Sequence, residues 1–215
     1  MNILVLSGPN HRFAESAAVI YEFLAAQPGM TVTLSEDKNL LASPELNQFD
    51  VCVFGTGFTR SVAQPDGTVK READLTPAQE DGLLQFVASG KGLVGIHGTG
   101  WWIGGRAADL IGGHANWHPP GSTFTVNIND HQHATTRGLE NFEVEDEIYM
   151  SAYDPAIHVL ATADWQNRAH PLAWVKPYGQ GRVFYTTLGH GPGTFARPAM
   201  QQFITQGIQW AATGE

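Results

Sequence analysis

The chain has 215 residues, 42% hydrophobic and 15% charged, with a formal charge of −9 at neutral pH. That length and composition suit one folded domain, residues 1–215, with a sizeable core. The acidic balance argues against nucleic acid and anionic membrane partners, which require basic patches.

No apolar run approaches the roughly 20 residues that cross a bilayer. The opening Met1-Asn2-Ile3-Leu4-Val5-Leu6 lacks the basic start of a secretory signal. The single cysteine, Cys52, excludes an internal disulfide. A cytoplasmic location is expected.

In chain order, Ile3–Ser7 is a short apolar run ending in Gly8-Pro9-Asn10, which predicts a buried strand and a loop. Ala14–Ala26 has helical spacing, with Ala17, Ile20, Tyr21 and Leu24 on one face. Met30–Leu34 and Asp50–Phe54 predict two further strands, the second placing Cys52 among apolar neighbours, where a thiol is inert. Residues 56–75 resist assignment; Pro65-Asp66-Gly67 signals a turn, and a hairpin of Val62–Gln64 with Thr68–Lys70 fits around it. A connection of that length suits either a substrate lid or a surface loop.

Thr76 begins a helix with a full set of start signals: Thr76 as N-cap, Pro77 behind it, and Gln79 as capping-box partner. Leu83, Leu84, Phe86 and Val87 form its apolar face, and Gly90 supplies the stop. The strand Gly92–Ile96 follows. Strand–helix–strand units with continuously apolar strands imply a mainly parallel sheet covered on both faces. The second half is richer in strands, at Phe124–Ile128, Glu143–Met150, His158–Thr162, Pro171–Val175 and Arg182–Leu188, which imply antiparallel additions. A helix over Pro198–Ala211 closes the chain.

Ligands of such sheets bind beyond the carboxyl ends of the strands. The first strand leads there to His11 and Arg12, the third to Thr56, Thr59 and Arg60. The apolar run in "GKGLVGIHGTGWW" stops at His97, and the late strand stops at Gly189-His190-Gly191. Two histidines at two strand ends, each among glycines that permit sharp turns and close ligand approach, are expected to face one pocket. "IGGHANWHPP" adds His114, Trp117 and His118. In "EVEDEIYM" the alternation sets Val144, Asp146 and Ile148 against Glu145, Glu147 and Tyr149. Glu143 and Glu145 read as a solvated acidic edge, and Glu147 beside Tyr149 as the site candidate. His131 and His133 read as loop residues capped by Asp130, and His158 and His170 as half-buried residues beside strands.

There is no G-x-S-x-G elbow, Walker loop or G-x-G-x-x-G, so no nucleotide cofactor is expected. Two imidazoles and a carboxylate, His97, His190 and Glu147, match a metal triad with open positions, and a divalent ion such as zinc is the one cofactor they suggest. The same three serve equally as acid and base without a metal. His11, Arg60, Trp101, His114, Trp117 and Tyr149 are the candidates for substrate binding.

The ordered set "NILVLSGPNHRF … GKGLVGIHGTGWW … LIGGHANWHPP … TTRGLENFEVEDEIYM … HVLAT … PLAWVKPYGQGRVFYTTLGHG … GIQWA" resembles the ThuA-like (trehalose utilisation) family. The resemblance covers nearly the whole chain. It implies a flavodoxin-like α/β/α sandwich related to class I glutamine amidotransferases, with His97 standing where their nucleophilic cysteine follows its strand and His190 near their catalytic histidine. Amidotransferase activity is therefore not expected. The resemblance further implies disaccharide or keto-sugar metabolism, which suits a lyase, hydrolase or isomerase acting on a small carbohydrate. The competing expectation is a non-catalytic sugar-binding or accessory protein. A homodimer is expected, since closed two-fold assemblies are the commonest.

Overall fold

The first apolar runs become parallel strands because their residues are apolar on both faces. In β1 (Asn2–Leu6), Ile3 and Val5 enter one core and Leu4 and Leu6 the other. β2 (Thr31–Ser35) and β3 (Val51–Phe54) flank β1, followed toward the centre by β6 (Gly92–Ile96). The computed structural model describes residues 1–55, 58–102 and 106–215. Thr56, one of the expected site residues, lies outside them.

Among the described residues the central sheet has nine strands. Five run parallel in the order β2-β1-β3-β6-β13, where β13 is Gly181–Thr186. The sheet then continues antiparallel through β12 (Arg168–Tyr178), β11 (His158–Trp165), β8 (Ser122–Ile128) and β9 (Phe142–Asp146). Two small antiparallel pairs lie outside it: β4 (Thr59–Ala63) with β5 (Val69–Ala73), and β7 (Gly113–Trp117) with β10 (Met150–Tyr153).

α1 (Phe13–Ala25) and α5 (Pro198–Thr213) cover one face, contributing Ala17, Ile20, Leu24, Phe203, Ile204 and Ile208 to its core. α2 (Pro77–Ala88) and the short α3 (Ala107–Ile111) cover the other through Leu83, Phe86, Val87 and Leu110. The expected capping box of α2 is present, with Thr76 and Gln79 exchanging bonds. A one-turn helix, α4 (Pro192–Phe195), follows the loop after β13. No helix among the described residues is long and apolar enough to cross a membrane.

Four local expectations change. Tyr21 is 40% exposed, because the apolar stripe of α1 is narrower than expected. The hairpin after β3 does form, but with longer strands, and Asp66 closes its turn by accepting from Thr68. The segment "GHANW" is a strand, β7, too polar to read as one. The expected strand Glu143–Met150 breaks after Asp146: burial alternates from Glu143 to Asp146, and Glu147, Ile148 and Tyr149 are then all buried. Glu145 therefore points to solvent rather than sharing a face with Glu147, and Asp146 turns inward. Glu143 is exposed, as expected.

Candidate functional site

β6 delivers His97 into a tight bend. The residue takes φ 44°, a left-handed conformation that costs a non-glycine side chain on the order of 1–2 kcal/mol. A single 3-10 turn, His97–Trp101, follows at once. Thr99 holds the bend by donating to the Phe54 carbonyl at the end of β3 (2.6 Å), and the Tyr185 hydroxyl donates to the His97 carbonyl (2.8 Å).

The glycines here have a packing reason beside the conformational one. A Cβ on Gly100 would lie 2.4 Å from the Tyr185 hydroxyl, and one on Gly95 would lie 2.9 Å from its ring. Gly189, at φ 125°, leaves room for Phe195.

His97 is buried, and its tautomer follows from its two bonds. Nδ1 lies 2.6 Å from the Thr187 carbonyl, which can only accept, so Nδ1 carries the proton. Nε2 is then an acceptor, and the Tyr149 hydroxyl, 2.7 Å away, donates to it. Burial, then neighbouring His11, holds the His97 pKa well below that of a free imidazole. Burial likewise pushes the Tyr149 phenol well up, so it stays a donor.

Around this pair the loops bring the other groups together. His11 follows β1 at φ 57°, with its ring 4.8 Å from that of His97 and 5.5 Å from that of His190. Burial and the His190 charge lower the His11 pKa to about 4. The Glu147 carboxylate, 8% exposed as a residue, faces three imidazoles: His190 at 3.3 Å, His118 at 3.5 Å and His97 at 3.5 Å. His97 Nε2 already accepts from Tyr149, so it offers no proton to Glu147, and Glu147 Oε2 is buried without a hydrogen bond among the described residues. His11 Nδ1 is likewise buried without a partner among the described residues.

Asp146 fixes the His190 loop from behind. Its carboxylate accepts from the backbone N–H groups of Gly189 (2.8 Å), His190 (3.3 Å) and Glu147 (2.8 Å) and from the Thr194 hydroxyl (2.7 Å). Burial pushes this carboxyl up from the usual range, against the pull of those bonds. A cleft of about 380 Å³ opens beside Glu147 and His190, bordered by Gly121, Gly193, Thr194 and Arg197.

The structure thus brings His11, His97, His190, Glu147 and Tyr149 together. Trp101 joins them, edge-on to Tyr149 and His118. Trp117 packs instead against Trp165, 53% exposed. His114 is half-buried on β7 and makes none of these contacts. Arg60 points outward on the hairpin, paired with Glu72. Arg71, opposite Ser61 in the register, donates to the Thr59 hydroxyl and adds to the lowering at His11.

Two participants are missing from the expected site. His118 was visible in "NWHPP", without a reason to prefer it over His114 or Trp117. Asp146 was hidden by the alternation, which set it on the strand face opposite Glu147 and Tyr149.

The match to known families runs the length of this scaffold. The family model described as trehalose utilisation, ThuA, matches residues 2–211. No curated protein matches the chain. Among solved structures, a ThuA-like protein from Parabacteroides merdae superimposes with TM-score 0.78 at 19% identity, covering 100% of this chain and 90% of that one. A ThuA-like protein from Bacteroides uniformis gives 0.77 at 18%, covering 98% and 91%. A cytoplasmic protein from Salmonella typhimurium LT2 gives 0.66 at 15%, covering 99% and 97%. These likenesses establish a shared fold, and with the family match over residues 2–211 the chain belongs to the ThuA, trehalose utilisation, family.

Proposed function

We propose that the protein is a carbohydrate-directed enzyme that moves a proton between Glu147 and its surrounding imidazoles during an isomerase, lyase or hydrolase reaction on a small sugar. The observation that carries this reading is the Glu147 carboxylate, buried, ringed by three imidazoles and left with one unbonded oxygen. A buried carboxylate oxygen without a donor is costly for folding alone. Its placement has a use if a substrate supplies the missing proton. Glu147 Oε2 takes a proton from the sugar, and His190, which reaches both solvent and the cleft, gives one to the sugar oxygen. Tyr149 holds His97 neutral and oriented beside them. Positioned proton transfer of this kind is worth about 10²–10⁴-fold in rate.

The carbohydrate class rests on the family's description, and the cleft lies in the size range of small-molecule sites. The order β2-β1-β3-β6-β13 is that of flavodoxin-like sheets, which supports reading the scaffold as amidotransferase-like. With His97 at the strand-to-helix bend in place of a thiol, the reading excludes amidotransferase chemistry. A cytoplasmic location belongs to the same reading, supported by the lone cysteine and the likeness to the Salmonella protein.

The test is turnover of trehalose and of its keto derivatives by the wild type, Glu147→Gln and His190→Ala. Conversion that falls at least about 100-fold in both variants supports the assignment. Sugar binding without conversion by the wild type, or full conversion by Glu147→Gln, overturns it.

A further inference from the structure

We infer that His11, His97 and His190 form a binding site for one divalent ion of the zinc class. The inference does not depend on the sugar reading. One nitrogen from each imidazole lies within 4.8 Å of the others. Each comes from a loop at the carboxyl end of a different parallel strand, β1, β6 or β13, so the sheet itself sets their separation.

Three features fit a metal better than a hydrogen-bonded core. His97 donates Nδ1–H to a backbone carbonyl, the arrangement that fixes the ring of a metal-binding histidine and leaves Nε2 for the ion. His11 Nδ1 is buried with no hydrogen-bond partner among the described residues. His97 Nε2, which carries no proton, lies 3.5 Å from Glu147 Oε2, acceptor beside acceptor, and a cation relieves that opposition. Three imidazoles also match the all-histidine donor set of open zinc sites, whose fourth position is left for water or a substrate oxygen. Here that position adjoins Glu147.

At a Zn–N distance of about 2.1 Å, tetrahedral ligands sit about 3.4 Å apart, so the cluster must close by at most about 1.4 Å. Asp146 holds the His190 backbone, and the ring is left to make that movement by side-chain rotation. The side chain is 52% exposed and lies between Gly189 and Gly191. The ion also displaces the Tyr149 hydroxyl from His97 Nε2, leaving it to donate to whatever oxygen the metal holds.

The experiment is titration of tag-free, chelator-treated protein with zinc by calorimetry, repeated with cobalt(II) and read by its visible absorption. His11→Asn is used because asparagine tolerates the left-handed backbone at that position. His190→Ala is the second variant, and His158→Ala, on the surface beside Asp130, is the control. The inference requires one equivalent bound by the wild type and by His158→Ala. It also requires affinity to fall more than about 100-fold in both His11→Asn and His190→Ala, beyond what loss of an outer partner costs. No stoichiometric binding by the wild type overturns it, as does binding that survives either variant or is lost in the control. Because the readout involves no sugar, failure here leaves the acid–base proposal standing, and failure of the turnover test leaves the metal site standing.

Discussion

His97 and His190 looked equivalent in the sequence, each ending an apolar run among glycines. The structure separates them. His97 is 1% exposed and satisfies the Thr187 carbonyl and the Tyr149 hydroxyl. His97→Ala strands both groups in the interior and should cost about 1–3 kcal/mol. His190→Ala removes a half-exposed ring and should stay within about 0.5 kcal/mol. Urea denaturation of the two variants checks this, and equal losses would contradict the bonding described. Positions at strand ends were legible because an abrupt stop in an apolar run is a one-dimensional signal. The bonds that distinguish the two histidines join residues 52 and 90 apart, and no local pattern encodes them.

The end of β9 carries the site as much as the histidine loops do. Asp146 gathers the loop after β13 and the start of the Glu147 segment with one carboxylate, so Asp146→Asn puts an amide N–H against donors that need an acceptor. A loss of about 2–4 kcal/mol is expected, with faster hydrogen exchange confined to Gly189–Thr194. Unchanged exchange there would mean that the loop holds itself. β3 is the opposite case, fully legible from its apolar run. Cys52 is buried, and desolvation pushes its thiol up to about 12. Cys52→Ala should cost roughly 1 kcal/mol and leave ligand binding intact, and the wild-type thiol should react with alkylating agents only on unfolding. Labelling of the native protein would contradict this. The helix start at Thr76 was legible for the same reason, since a capping box is local chemistry. Strand β7 was not, because its pairing with β10 lies across the fold.

Taken whole, the molecule keeps several imidazoles neutral inside an acidic protein. The pKa values of His11, His97 and His133 all lie below the free value of 6.5, each chiefly through burial. Between that value and about 4 for His11, the unfolded chain binds protons that the folded protein does not. Stability is therefore full above pH 6.5 and falls as the pH drops through that window. Asp146, displaced upward, acts in the opposite sense as a single group. Chelator-treated protein should show a falling denaturation midpoint from about pH 7 to about pH 5, where histidines are the side chains that ordinarily titrate. A flat midpoint would contradict the burial assigned to them. The layered fold was legible in the alternation of apolar strands and helices, whereas the convergence of β1, β6 and β13 on one pocket depends on strand order. The central claim is that their three histidines share one carbohydrate site. Its most direct measurement is an imidazole NMR titration with trehalose and its keto derivatives. The signals of His11, His97 and His190 should shift together and saturate, while those of His133, His158 and His170 stay fixed. Absence of any shift, or movement confined to the outer three, would contradict the account.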